Sequence, residues 1–225
     1  MNTYKLTGTK KDQEKLTNRY TLPEEIFNSV SHGIGAFLSI AALVILVAVA
    51  SIRGDAWRIV SFSIYGFTLF FLYLSSTLYH SVFHEGAKRV LRKFDHISIF
   101  LLIAGSYTPI TLVSLRGAWG WSLFGIIWFL TVAGIILNIF SLEKMKYLSV
   151  LLYVGMGWLI VVAVKPMLMT MPAGFFVWLL IGGLLYTCGV IFYLWKRLPF
   201  NHGIWHLFVL GGSTAHYLGF LLYLA

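Results

Sequence analysis

The amino-acid sequence predicts an all-α integral membrane protein, a bundle of seven transmembrane helices with a cytoplasmic amino terminus and an extracellular carboxyl terminus. Three observations carry that expectation. Of 225 residues, 59% are hydrophobic and only 11% charged, against roughly 25% charged in a soluble domain. Seven stretches have about 20 mostly apolar residues, the length a helix needs to cross the hydrocarbon core with its amides paired. The cations fall almost wholly outside those stretches, most of them on alternate connections.

The expected spans run over residues 26–50, 59–82, 96–115, 119–140, 147–165, 173–195 and 203–224. Residues 1–22 form a polar, basic cytoplasmic tail, and residues 23–225 a single transmembrane domain. The tail has no short apolar core followed by a small-residue cleavage site, so no cleaved signal peptide is expected. Segment 167–172, which ends on Pro172, reads as an outer turn between spans. No internal repeat interrupts this organisation.

Thirteen of the 17 cations lie in the tail and even-numbered loops, including Lys5, Arg19, Lys88, Arg92 and Lys196. The odd loops hold only Arg53, Arg58, Arg116 and Lys165. Cation-rich loops stay in the cytoplasm, which sets the orientation. The formal charge of +9 thus reads as topology signal and contact with anionic headgroups, giving no support to nucleic-acid binding. With Cys188 as the single cysteine, no internal disulfide and no thiolate cluster is available. A metal would have to rest on imidazole and carboxylate.

Most acids (Asp12, Glu14, Glu24, Glu25, Asp55, Glu85, Glu143) are expected in tail or loops, solvated by water. Asp95 stands apart, opening the third span in Arg92-Lys93-Phe94-Asp95-His96; taken alone, a plain N-cap accounts for it. His202 and His206 open the seventh span four residues apart and share one helical face. Such a pair serves either as metal ligands or as interfacial hydrogen-bonding residues. His80 ends the second span, which runs from outside to inside, so the topology brings His80, Asp95, His202 and His206 to one depth from three helices. Ser76, one turn before His80, shares its face; a lone serine there ordinarily bonds back to the Leu72 carbonyl.

Three imidazoles with an open fourth position make the arrangement of catalytic zinc. His84 and His96 are expected at the wet inner boundary, and His32 at the start of the first span, none of them ligating. His216 lies ten residues past His206, about 15 Å along the axis, where it would line a cavity above the site. Gly211, Ala215 and Gly219 recur every fourth residue as a packing stripe. A retinal Schiff base is ruled out, since residues 202–225 contain no lysine.

The strings Glu25-Ile26-Phe27-Asn28-Ser29-Val30-Ser31-His32-Gly33, Ser76-Thr77-Leu78-Tyr79-His80, Phe94-Asp95-His96, Ala104-Gly105-Ser106-Tyr107-Thr108-Pro109 and His202-Gly203-Ile204-Trp205-His206 carry a resemblance. Over residues 24–225 the chain resembles the bacterial hemolysin III family, the prokaryotic branch of the progestin and adipoQ receptor family within a ceramidase-like superfamily. The resemblance implies a multi-pass protein of the cell membrane with Zn2+ held by His80, His202 and His206. It further implies that Asp95 and Ser76 flank the zinc water, in catalytic positions.

Three functions follow as expectations. One is membrane homeostasis or lipid sensing with zinc-dependent hydrolysis of a lipid amide reaching the site from the bilayer; Asp95 would be the general base and Ser76 would orient water or intermediate. Another is a metal-clamped, receptor-like protein without catalysis, because ligation is itself folding energy. The third, a pore-forming hemolysin causing cytolysis, requires water-lined faces, and few ionisable residues lie along the middle of any span.

Overall fold

The computed structural model describes residues 20–52, 55–141 and 146–225. The basic tail up to residue 19 and the loop residues Arg53, Glu143 and Lys144 lie outside the described residues. What is described is helical: α1 (Leu22–Ile52), α2 (Ala56–Ser81), α3 (Glu85–Pro109), α4 (Ala118–Ser141), α5 (Lys146–Trp158), α6 (Val164–Thr170), α7 (Ala173–Leu194) and α8 (Asn201–Tyr223). A π-helical turn, Ile110–Ser114, extends α3, and a 3-10 turn, Leu159–Ala163, joins α5 to α6.

Local chemistry sets these boundaries. At the start of α1, Glu24 Oε2 accepts from the Thr21 amide at 2.8 Å and the Thr21 hydroxyl at 2.9 Å, a capping box with Pro23 in the first turn. The other oxygen of Glu24 accepts from the Phe200 amide at 3.0 Å, tying the start of α1 to that of α8. Asp55 caps α2 by accepting from the Trp57 amide at 2.9 Å. His84 caps α3, its Nδ1 accepting from the Ala87 amide at 3.3 Å.

The last cap corrects the expected third span. α3 begins at Glu85 rather than at residue 96, so Asp95 sits ten residues inside the helix and is not an N-cap. The charged stretch from Lys88 to Lys93 fails a hydropathy threshold, yet alanine, lysine, arginine and leucine are strong helix formers, and the helix simply continues inward of the apolar segment. The fifth crossing is corrected too. Helix persists to Thr170 and leaves only Met171 and Pro172 for the turn, because Pro166 falls in the first turn of α6, where its missing amide costs little.

The break between α5 and α6 has an identifiable cause. Tyr107 of α3 donates its hydroxyl to the Met156 carbonyl at 2.7 Å and accepts from the Ile160 amide at 2.7 Å. Those two groups are i−4 partners, so the tyrosine inserts into the ladder and opens it.

The helices pack in a ring, α1 on α2, α2 on α3, α3 on α4 and α5, α4 on α5, α5 on α7, α7 on α8, and α8 back on α1. α5 on α7 is the slightest of these junctions. Inside, Phe62, Tyr65 and Leu69 of α2 pack with Phe175 of α7 and Phe220 of α8. Outside, Phe37, Phe129, Phe140 and Met169 are exposed, the reverse of a soluble surface and what lipid as solvent favours. Six helical stretches are long and apolar enough to cross a membrane, from Leu22–Ile52 to Ala173–Leu194. The chain is therefore a multi-pass, all-helical membrane protein. α8 has the length, at 23 residues, but its three histidines lower its hydropathy.

Close approach of α2 to α3 depends on Gly105. A Cβ there would overlap Thr68 Oγ1 and lie 3.0 Å from Thr68 Cβ, while the Thr68 hydroxyl is already committed to the Tyr65 carbonyl at 2.9 Å. Gly105→Ala is predicted to destabilise the bundle by about 1–3 kcal/mol through overpacking. The check is a lowered Tm of the detergent-purified variant; an unchanged Tm would show that the two helices can separate freely.

Candidate metal centre

α2 ends and α8 begins at the same level, and that coincidence builds the site. His80 is one residue from the end of α2, and His202 and His206 occupy successive turns at the start of α8. Asn201 fixes that start, donating its side-chain amide to the Phe192 carbonyl of α7 at 3.0 Å. The ring centroids lie 5.0 Å apart for His80 and His202, 5.3 Å for His80 and His206, and 4.6 Å for His202 and His206. One nitrogen from each lies within 4.8 Å of the other two. His80 and His206 are each 1% exposed and His202 7%.

The hydrogen bonds assign a free nitrogen to His80 and to His206. Nδ1 of His80 faces Glu25 Oε2 at 2.5 Å, and a carboxylate only accepts, so Nδ1 carries the proton and Nε2 is left as a lone pair. Nδ1 of His206 donates to the Asn28 backbone carbonyl at 3.2 Å, with the Ser31 hydroxyl 3.1 Å away. Both nitrogens of His202 and Nε2 of His80 are buried without a hydrogen-bond partner. Unpaired buried polar atoms cost about 1–3 kcal/mol each, and converging imidazole lone pairs are a donor set that suits a metal ion. These three side chains could hold one.

Asp95 and Ser76 lie near the triad, on α3 and α2 respectively. Asp95 of α3 is within electrostatic reach of His80, Ser76 and Arg92. Ser76 of α2 is buried, and its hydroxyl is not bonded back to the Leu72 carbonyl but lies beside the Asp95 carboxylate. Both residues, with His202 and His206, line one end of a cavity of about 330 Å³, within the range of small-molecule sites. Farther in, its wall is chiefly apolar, with Leu102, Ile103, Val161 and Leu179, and it reaches His216. His216 Nε2 donates to the Leu179 carbonyl at 3.3 Å, as a wall residue rather than a member of the triad. His84 is exposed and His96 half-buried against the cavity.

The contribution of α1 is what spacing analysis missed. Glu25, expected in water, is 4% exposed and pairs with both His80 and Lys88. Lys88, counted as a topology cation, is 5% exposed. His32 stacks on His206 with centroids 3.5 Å apart and borders the cavity. A signal was present: Glu25, Asn28 and His32 stand at i, i+3 and i+7, one face of a helix, and their burial shows that face to be the inner one.

Comparison with known proteins accords with the motif resemblance. A family model described as Haemolysin-III related matches residues 20–217. Hemolysin-3 of Bacillus cereus is 50% identical over 211 residues, covering 93% of this chain and 96% of that protein. The Hemolysin-3 homolog of Bacillus subtilis (strain 168) is 48% identical over 204 residues, covering 91% and 96%. Monocyte to macrophage differentiation factor of Homo sapiens is 31% identical over 212 residues, covering 91% and 86%. With nearly its whole length matched, this chain belongs to the haemolysin III-related family.

Proposed function

We propose that the chain is a seven-helix zinc protein of the cell membrane, acting in membrane homeostasis or lipid sensing, with zinc-dependent hydrolysis of a lipid amide as its chemistry. One observation carries the reading: three buried imidazoles converge at the end of a largely apolar cavity, beside a carboxylate and a serine hydroxyl. His80, His202 and His206 hold the ion. When bound, zinc supplies Lewis acidity that polarises an amide carbonyl and activates water near neutral pH.

The remaining steps belong to the chain's own residues. Asp95 accepts a proton from the attacking water on its carboxylate and returns it to the leaving amine as the C–N bond breaks. Ser76 orients the water through its hydroxyl. The apolar wall from Leu102 to Leu179 takes the acyl chain and excludes water, and the slight junction between α5 and α7 is the route from the bilayer. Glu25 and Asn28 hold two of the rings in place from α1.

A metal clamp without turnover is the second reading, favoured by a particular observation. α2 and α8 meet through long side chains, with the hydroxyls of Tyr65 and Tyr73 reaching the carbonyls of Ser213 and Val209 at 3.4 and 3.5 Å. An ion shared by His80 and the α8 pair would join these helices more firmly. Membrane lysis, the activity for which the Bacillus cereus and Bacillus subtilis relatives are named, draws less support from a cavity with this apolar wall.

As to topology, α8 is the seventh crossing, with the amino terminus and the triad on the cytoplasmic side. The cation-rich first turns of α3 support this. In a variant whose Cys188 is replaced by serine, a cysteine at Ser29 should be protected from an impermeant maleimide in intact cells and one at Thr170 labelled. The reverse pattern would invert the orientation.

The chemistry is tested by one variant series. His202→Ala and His206→Ala should lose zinc and Tm together, whereas Ser76→Ala and Asp95→Asn should keep the metal. Asp95→Asn should also lower release of fatty acid from a long-chain amide in detergent by about 10²-fold or more, the range of general base catalysis. Turnover equal to wild type would remove Asp95 as the base, and no turnover in the zinc-loaded wild type would leave the clamp.

A further inference from the structure

Glu25 is a carboxylate buried in the first turn of α1, and its two oxygens have different partners. Oε2 is 2.5 Å from His80 Nδ1, and Oε1 accepts from Lys88 Nζ at 2.6 Å. Lys88 in turn lies over the rings of Tyr79 and Phe83, 5.3 and 5.8 Å from their centroids. A buried ion pair between α1 and α3 thus ends on the imidazole of α2.

We propose that Glu25, neutralised by Lys88, is the positioning residue of the metal centre, fixing the tautomer and ring orientation of His80 so that Nε2 faces His202 and His206. The inference rests on the metal reading of the triad. Ligating histidines characteristically donate their second nitrogen to a carboxylate or backbone carbonyl, which orients the ring and raises its basicity. Here α1 supplies one of each three residues apart, the Glu25 carboxylate for His80 and the Asn28 carbonyl for His206. Lys88 is needed because a lone carboxylate at 4% exposure would be strongly disfavoured; a buried charge that loses its partner is far costlier than a neutral pair.

Orientation and charge make separable demands. Glu25→Gln keeps an oxygen that accepts from His80 Nδ1–H, whereas Glu25→Ala removes the acceptor. Glu25→Leu combined with Lys88→Met removes acceptor and both charges while keeping apolar volume, so it guards against misfolding from an unpaired lysine.

The test is zinc affinity by chelator competition on full-length protein in detergent, together with the visible spectrum of the cobalt-substituted forms. Glu25→Ala and the Leu/Met double variant should bind zinc about 10–100-fold more weakly than wild type, with altered cobalt bands, and Glu25→Gln should lose far less. Tm of the metal-free forms separates this from mere packing, which would lower Tm and leave zinc affinity and cobalt bands in place. Wild-type affinity and spectrum in the double variant would overturn the proposal while sparing the metal reading. A wild type that binds neither zinc nor cobalt would overturn both.

Discussion

A polar group inside a lipid-embedded bundle must find its partner within the protein, and this constraint organises everything around the three histidines. Unpaired polar atoms in hydrocarbon cost several kcal/mol, yet His80, His202 and His206 are buried with nitrogens aimed at one another. The helices are arranged to make this tolerable. α1 supplies a carboxylate and a carbonyl, α3 supplies Lys88 and Asp95, and α7 anchors the start of α8 through the side chain of Asn201. The proposed zinc completes the same logic, satisfying lone pairs that no protein donor reaches.

From that end of the bundle the cavity runs inward with falling polarity. Ser76, Asp95 and His202 border it at the triad, and aliphatic and aromatic side chains line most of the rest. Such a gradient suits an amphiphile whose polar group lies at the ligands and whose chain lies along the wall. The break between α5 and α6 belongs to the same space. Tyr107, inserted into the ladder at Met156 and Ile160, is itself a lining residue, as are Gly157 and Val161 beside it, so an irregular backbone occurs at membrane depth where it borders a cavity.

Much of this was legible in the sequence because the relevant signals are periodic. Apolar length marked the crossings, and alternate charged loops predicted which helix ends share a level. That was enough to bring His80 to the His202 and His206 pair without knowledge of packing. The start of α3 was not legible, because hydropathy reports the lipid boundary while helix propensity and the His84 cap set the helix boundary. Glu25 and Lys88 were lost for a related reason: each reads as solvated until its partner is known, and the pair joins residues 63 apart in sequence. His32 was set aside as a boundary residue, although it stacks on His206.

The account stands on one ion held by three side chains from two helices, and elemental analysis tests it most directly. Tag-free wild type and His80→Ala, purified in detergent, should contain about one zinc per chain and almost none, respectively, as expected on removal of one of three protein ligands. Equal zinc in both proteins, or no metal in either, would contradict the proposed centre.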